Sequence, residues 1–204
     1  LEVQPSESGL IAKPYDLNMR DLLFTYGVRL NDEIILDLSS TLVAVELGGN
    51  QKLTPSTYTP RIITFDRGHK ITKDLQALTA IEFIGSLDTT TSAKGVIKTP
   101  LFFSSQYTRK WQAPVTITGY DITHPVLDKE TYTDQYLPLA YLLEGDFKSF
   151  FKNKPVPKQA DVAQRKNKSD GTGKVLIVGD GEFIANKPSS DGKTYKPVGY
   201  STYE

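Results

Sequence analysis

Cysteine is missing from all 204 residues, which excludes disulfides, thiolate nucleophiles and Cys-ligated metal centres together. Histidine is nearly missing too. His69 and His124 stand in separate turn-like contexts, RGHKIT and ITHPVL, so a metal site would need both of them joined by carboxylates, and two loop histidines are the simpler expectation. No excess of one charge exists either. Lys plus Arg and Asp plus Glu both number 24, and a formal net charge of +0 leaves no general footprint for nucleic acid or anionic membrane. No apolar run approaches the roughly 20 residues of a spanning helix, and the opening LEVQPSESGLIAKPYD lacks the basic start and apolar middle of a signal peptide. A start without Met and an abrupt GYSTYE end suggest a piece of a longer protein, with targeting and anchoring segments outside it.

What is present suits a globular chain. At 38% hydrophobic and 24% charged, it can bury a sizeable core, and residues 1–204 are expected to form one soluble domain. After a polar lead-in, Met19, Leu22, Leu23 and Tyr26 mark one face of a short amphipathic helix, with Gly27 where a left-handed cap is needed. The β-branched run Ile34 to Leu38 reads as a buried strand, and Thr41 to Leu47 as another that ends at Gly48-Gly49-Asn50. PRIITF, AIEFIG and KTPLFFSS are further strand candidates, and Gln106 to Ala113 reads as a connection. Pro138 makes LPLAYLL an edge strand or a strand start, turned at Gly145. Residues 152–174 should be an exposed loop, and the apolar VLIV after them a strand covered on both faces. Buried strands punctuated by short helices predict an α/β domain with a mixed, mostly parallel sheet, incomplete at its termini.

The stretch KVLIVGDGEFIANK places Gly179-Asp180-Gly181 after that last strand. A dinucleotide loop needs a third glycine where Ile184 stands, and the acids beside the turn would repel phosphate. A nucleophile elbow would place Ser or Cys where Asp180 stands. Gly179 and Gly181 are therefore expected to shape a strand-to-helix turn, with Asp180 or Glu182 capping the helix. A triad of Ser104 or Ser105, His124 and Asp121 can be assembled on paper, but no Gly-x-Ser-x-Gly setting supports it. In SSQYTRKW, Tyr107, Arg109 and Trp111 follow a strand, where α/β sheets present ligand-contacting residues. With Asp180 they form a candidate site for a sugar, peptide or carboxylate, Glu182 being a further contact candidate. FKSFFKNK has a similar basic-aromatic texture, suited to a partner or a membrane face or to the core.

Four blocks, DLNMRDLLFTYGVRLNDEIILDL, KTPLFFSSQYTRKW, LPLAYLLEGDFKSFFKNK and KVLIVGDGEFIAN, occur in an order and spacing that resembles the extracytoplasmic region of the gliding-motility-associated ABC transporter auxiliary (GldG) family of Bacteroidetes. The resemblance covers nearly the whole chain, most weakly at 48–60, 88–96 and 155–173. It implies a flavodoxin-like or glutamine-amidotransferase-like, Rossmann-like three-layer fold without the usual nucleophile. It also implies a non-enzymatic, cofactor-free role on the periplasmic face of the inner membrane. The partners implied are the permease and ATPase subunits of an ABC system and envelope or secretion-motility proteins, with membrane attachment through segments outside this chain. No nucleic acid is implied.

Overall fold

The computed structural model describes residues 1–65, 68–73, 79–152, 154–155, 171–186, 189 and 192–195. The lead-in is a hairpin, β1 (Glu2–Ser6) and β2 (Gly9–Lys13), in which Ala12 turns into the core while Ile11 faces out. The free edge of β2 takes β10 (Val115–Thr118), closing a three-stranded sheet. Next comes α1 (Arg20–Tyr26), ended by Gly27 at φ 92°, a left-handed value that a side chain rarely adopts.

β3 (Val28–Leu30) pairs β7 (Leu87–Thr89). Every residue of β4 (Glu33–Asp37) is buried, and it pairs β9 (Thr108–Gln112) from Glu33 opposite Gln112 to Asp37 opposite Thr108. β5 (Ser40–Leu47) and β6 (Asn50–Pro60) form a long hairpin turned at Gly48 and Gly49. A second three-stranded sheet has the order β12 (Gly173–Val178), β11 (Pro138–Gly145), β8 (Val96–Phe103). A single-turn helix, α2 (Gly119–Thr123), follows β10.

Backbone bonds outside the named strands join these pieces. Ile35 and Asn31 donate to the carbonyls of Ile84 and Ser86, Gly85 donates to Gly179, and Gly179 donates to Leu139. Residues 84–86 therefore bridge the β4–β9 ribbon to the sheet of β11. The bridge is possible only because Gly179 lacks a side chain, since a Cβ there would lie 2.0 Å from the Gly85 carbonyl oxygen.

The expected parallel α/β architecture, flavodoxin-like or amidotransferase-like, is overturned. Every pairing between the named strands is antiparallel, and the described residues are 46% strand and 9% helix. Parallel neighbours need a crossover of a dozen or more residues, usually helical, and α1 and α2 have seven and five. The apolar run of β4 is buried as expected, but it is other strands and loops that cover it. Ile34 and Leu36 pack with Ala12, Tyr58, Ile117 and Tyr132, while Ile35 faces a separate core of Ile62, Ile84, Leu101, Leu139 and Leu142. A third cluster gathers Val28, Leu87, Tyr141, Leu143 and Phe147.

Local corrections follow the same logic. Gln106 to Ala113 is mostly β9 rather than a connection, because alternate residues of Thr-Arg-Lys-Trp-Gln meet two different environments. Of the two expectations for Pro138, the strand start holds and the edge does not: Pro138 opens β11, a central strand, since the first position of a strand tolerates a missing N–H. β12 is covered on one side only in its alternation, with Lys174 and Leu176 exposed, instead of buried on both faces. Of the expected loop 152–174, Gly173 and Lys174 begin β12, and residues 153 and 156–170 lie outside the described residues.

Candidate functional site

Alternation along β9 puts Tyr107, Arg109 and Trp111 on one side of the ribbon, all half-buried. Trp111 lies edge-on to buried Tyr58, with ring centroids 5.9 Å apart, and the Arg109 guanidinium sits 5.8 Å from the Trp111 ring. The ammonium of Lys129 lies 4.8 Å from the ring of Tyr107. Burial raises the phenols of Tyr58 and Tyr132 above their ordinary range, so both stay neutral, and the charge of Arg109 opposes that rise. These side chains roof the core around Ile34, Leu36 and Ile117. Arg109→Ala is expected to lower stability by about 1 kcal/mol through lost cation–π and stem packing, read from the urea midpoint.

Asp180 and Glu182 belong to another part of the fold. They follow β12, which pairs β11, whereas β9 pairs β4. The expected helix after the glycines does not form among the described residues. Bends and a turn follow instead, in which the Ala185 N–H donates to the Glu182 carbonyl. Gly181 has open space around it. Gly145 is the last residue of β11, opposite Val96 and Gly173.

Residue types alone did not point to the most elaborate polar cluster. Asp37, fully buried at the end of β4, accepts from the Ser105 N–H and hydroxyl, both at 2.6 Å, and from the Ser39 N–H at 2.8 Å. The Thr108 hydroxyl lies 2.8 Å from that of Ser104, which also accepts the Leu137 N–H at 2.9 Å. Burial pushes the Asp37 carboxyl above its ordinary value, and the bonds from Ser105, Ser39 and Thr108 act against that push. The network ties the end of β4 to the β8–β9 turn and the start of β11. The one available signal was an Asp closing the apolar run Ile34 to Leu36, together with a Ser-Ser pair just after another strand.

The paper triad is dispersed. Ser105 engages Asp37, Asp121 forms a capping box with Thr118 at the start of α2, and His124 stacks on Tyr120 with centroids 4.5 Å apart. His69 lies in a turn, accepting the Thr72 and Lys73 N–H groups at its carbonyl. Among the described residues, no group of three or more His, Asp or Glu side chains is arranged to hold a metal ion. No helix among them is long and apolar enough to cross a membrane.

Two open grooves lie beside β3 and β7. One, of about 570 Å³, is lined by Phe24, Arg29, Asp88, Thr90 and Tyr141. The other, of about 430 Å³, is lined by Arg20, Asp32, Glu33, Lys110 and Gln112. Their charges are largely matched internally, with Arg20 2.7 Å from Asp32, Arg29 2.5 Å from Asp88, and Glu33 accepting the Ser86 hydroxyl.

Fold and polar groups together define an antiparallel β module in which buried Asp37 and Glu33 and the hydroxyls of Ser86, Ser104, Ser105 and Thr108 are engaged in holding strands together. The chain belongs to a family of ABC transport auxiliary proteins, described as ABC-type uncharacterized transport system, whose model matches residues 1–203. It is 27% identical over 150 residues to an uncharacterized protein of Borreliella burgdorferi, a stretch covering 69% of this chain. That stretch is 28% of the relative's own length. No solved structure matches the chain.

Proposed function

We propose that this chain is a non-catalytic accessory domain of an ABC transport system linked to gliding motility. In this proposal it stands on the periplasmic face of the inner membrane and contacts the permease, the ATPase assembly or envelope proteins. Family membership supports the transport setting, and the block wording supports the gliding-motility branch. The observation that carries the non-catalytic part is the commitment of Ser105 to buried Asp37, with His124 and Asp121 held in separate contacts.

Because the chain has no cysteine, Glu7→Cys in the exposed β1–β2 turn adds a thiol unique within it. In the full-length membrane protein, a maleimide that cannot cross the inner membrane is expected to label it, and affinity purification to recover permease and ATPase subunits. Labelling only after inner-membrane lysis would refute the location. Turnover of an ester, phosphoester or glycoside that disappears in a folded Ser105→Ala variant would refute the non-catalytic role.

A small-ligand module for a sugar, peptide or carboxylate is the second reading, favoured by the groove of about 570 Å³ with Arg29 and Tyr141 in its wall. It predicts a ligand-dependent rise in melting temperature that Arg29→Ala abolishes. The leading proposal predicts no such rise across those three ligand classes.

A further inference from the structure

Of the basic-aromatic segment after β11, only Phe147 enters the core contacts described above. It starts from a fixed base. Phe147 is buried, its ring lies 4.9 Å from that of Tyr26, and Gly173 packs so closely on it that a Cβ there would lie 2.8 Å from the Phe147 ring. From that base the chain makes tight turns, with the Lys152 N–H donating to Ser149 at 3.0 Å and the Lys154 N–H to Phe151 at 3.1 Å. Phe150 and Phe151 meet edge to face, and the Lys154 ammonium lies 3.3 Å from the Phe150 ring centroid. Phe151 is 61% exposed, and Lys148, Lys152 and Lys154 are exposed around it. Residues 147–155 contain three lysines and no acid. The nearest preceding acids are Glu144, which is paired with Lys174 at 2.5 Å, and Asp146, on the other side of the buried anchor in sequence.

We infer that this turn is a peripheral docking site for an anionic lipid bilayer surface. A bulky ring at 61% exposure on a tight turn among lysines is an apolar tip within a basic rim, the chemistry that an anionic bilayer interface takes up. A bilayer interface satisfies both. The ring enters the boundary between headgroups and acyl chains, and the flexible lysine stems lay their ammonium groups against lipid phosphates. Each lysine near a negative leaflet strengthens partitioning about fivefold, and insertion of the Phe151 ring adds about tenfold. A chain with a net charge of +0 gains orientation from such a patch as well as attraction, because one face alone is drawn to the surface. The inference goes beyond the accessory role and needs neither a permease contact nor a gliding link.

The test is co-sedimentation of the chain with phosphatidylglycerol–phosphatidylcholine vesicles, against phosphatidylcholine alone, at low and high salt. Binding is expected to the anionic vesicles only and to weaken as salt rises. Lys148→Gln, Lys152→Gln and Lys154→Gln together should weaken it about 100-fold, and Phe151→Ala about tenfold, each variant still melting cooperatively, at a small cost for the lost contacts of Lys154 and Phe151 with Phe150. Equal binding to both vesicle types, no binding by the parent chain, or a triple variant that binds like the parent would each overturn the inference. So would a triple variant that keeps vesicle binding and loses co-purified transporter subunits, which would assign the patch to a protein. Loss of permease recovery in the parent protein leaves the vesicle result standing, so the two proposals fail separately.

Discussion

Gly179→Ala is expected to destabilise the domain by about 3 kcal/mol, while Gly181→Ala, two residues on, stays within about 0.5 kcal/mol of the parent. The contrast comes from contact. An added Cβ at Gly179 lies 2.0 Å from the Gly85 carbonyl oxygen and 3.3 Å from the Ile84 side chain, whereas nothing lies within 4 Å of one added at Gly181. The first obstacle is backbone, so no side-chain rotation relieves it. Residues 84–86 and 179 would have to separate, straining the bond from the Gly85 N–H to the Gly179 carbonyl (3.0 Å) and the seam that joins β4 to the sheet of β11 over one shared core. Urea denaturation of both variants decides the matter. Equal midpoints would show that the seam accommodates a side chain and that the close approach is incidental.

Asp37→Ala is expected to cost about 4 kcal/mol, because it leaves the Ser105 and Ser39 N–H groups, and the Ser105 hydroxyl, without their buried acceptor. Asp37→Asn keeps one acceptor oxygen and sets an amide N–H against a donor, so its cost is smaller. The pH dependence carries a definite sign. Burial raises the Asp37 carboxyl above its ordinary 3.8, so the folded state favours the protonated form. The stabilising contribution of that proton is fully present below 3.8 and is lost as pH rises through the folded value. The stability gap between parent and Asp37→Asn should therefore narrow from acid toward neutral pH. A gap that widens over that window would mean that the donors around the carboxylate outweigh its burial.

Individual elements were more legible than their partners. The helix ended by Gly27, the strand at Ile34 and the hairpin turn at Gly48-Gly49 each carry local signals, namely helical spacing, a β-branched run and paired glycines. Strand direction carries none. The run in β4 reads the same whether helices or strands cover it, and the distinction is made by Ala12, Tyr58 and Ile117, residues whose sequence neighbourhoods carry no strong strand signal. β9 escaped notice because Arg109 and Lys110 dilute its apolar signal, although the spacing of Tyr107, Arg109 and Trp111 by two was already that of one strand face. The Asp37 network was illegible for a different reason. Its members are 68 residues apart in sequence, and neither Asp nor Ser announces burial by its type.

The pairing of β2 with β10 gives the chain a schedule. Ala12 meets Val115 and Gly9 meets Thr118, so the amino-terminal hairpin emerges from the ribosome roughly 100 residues before the strand that completes its sheet. At ordinary synthesis rates that interval is on the order of 10 s. A lone two-stranded hairpin is at best marginally stable in water, so the opening segment has to wait unfolded or loosely paired while β3 to β9 are made. Assembly of this sheet from the amino-terminal side alone is thus barred by the topology, and a ribosome stalled before residue 115 would carry a hairpin with an open edge, the state most prone to pair with another chain.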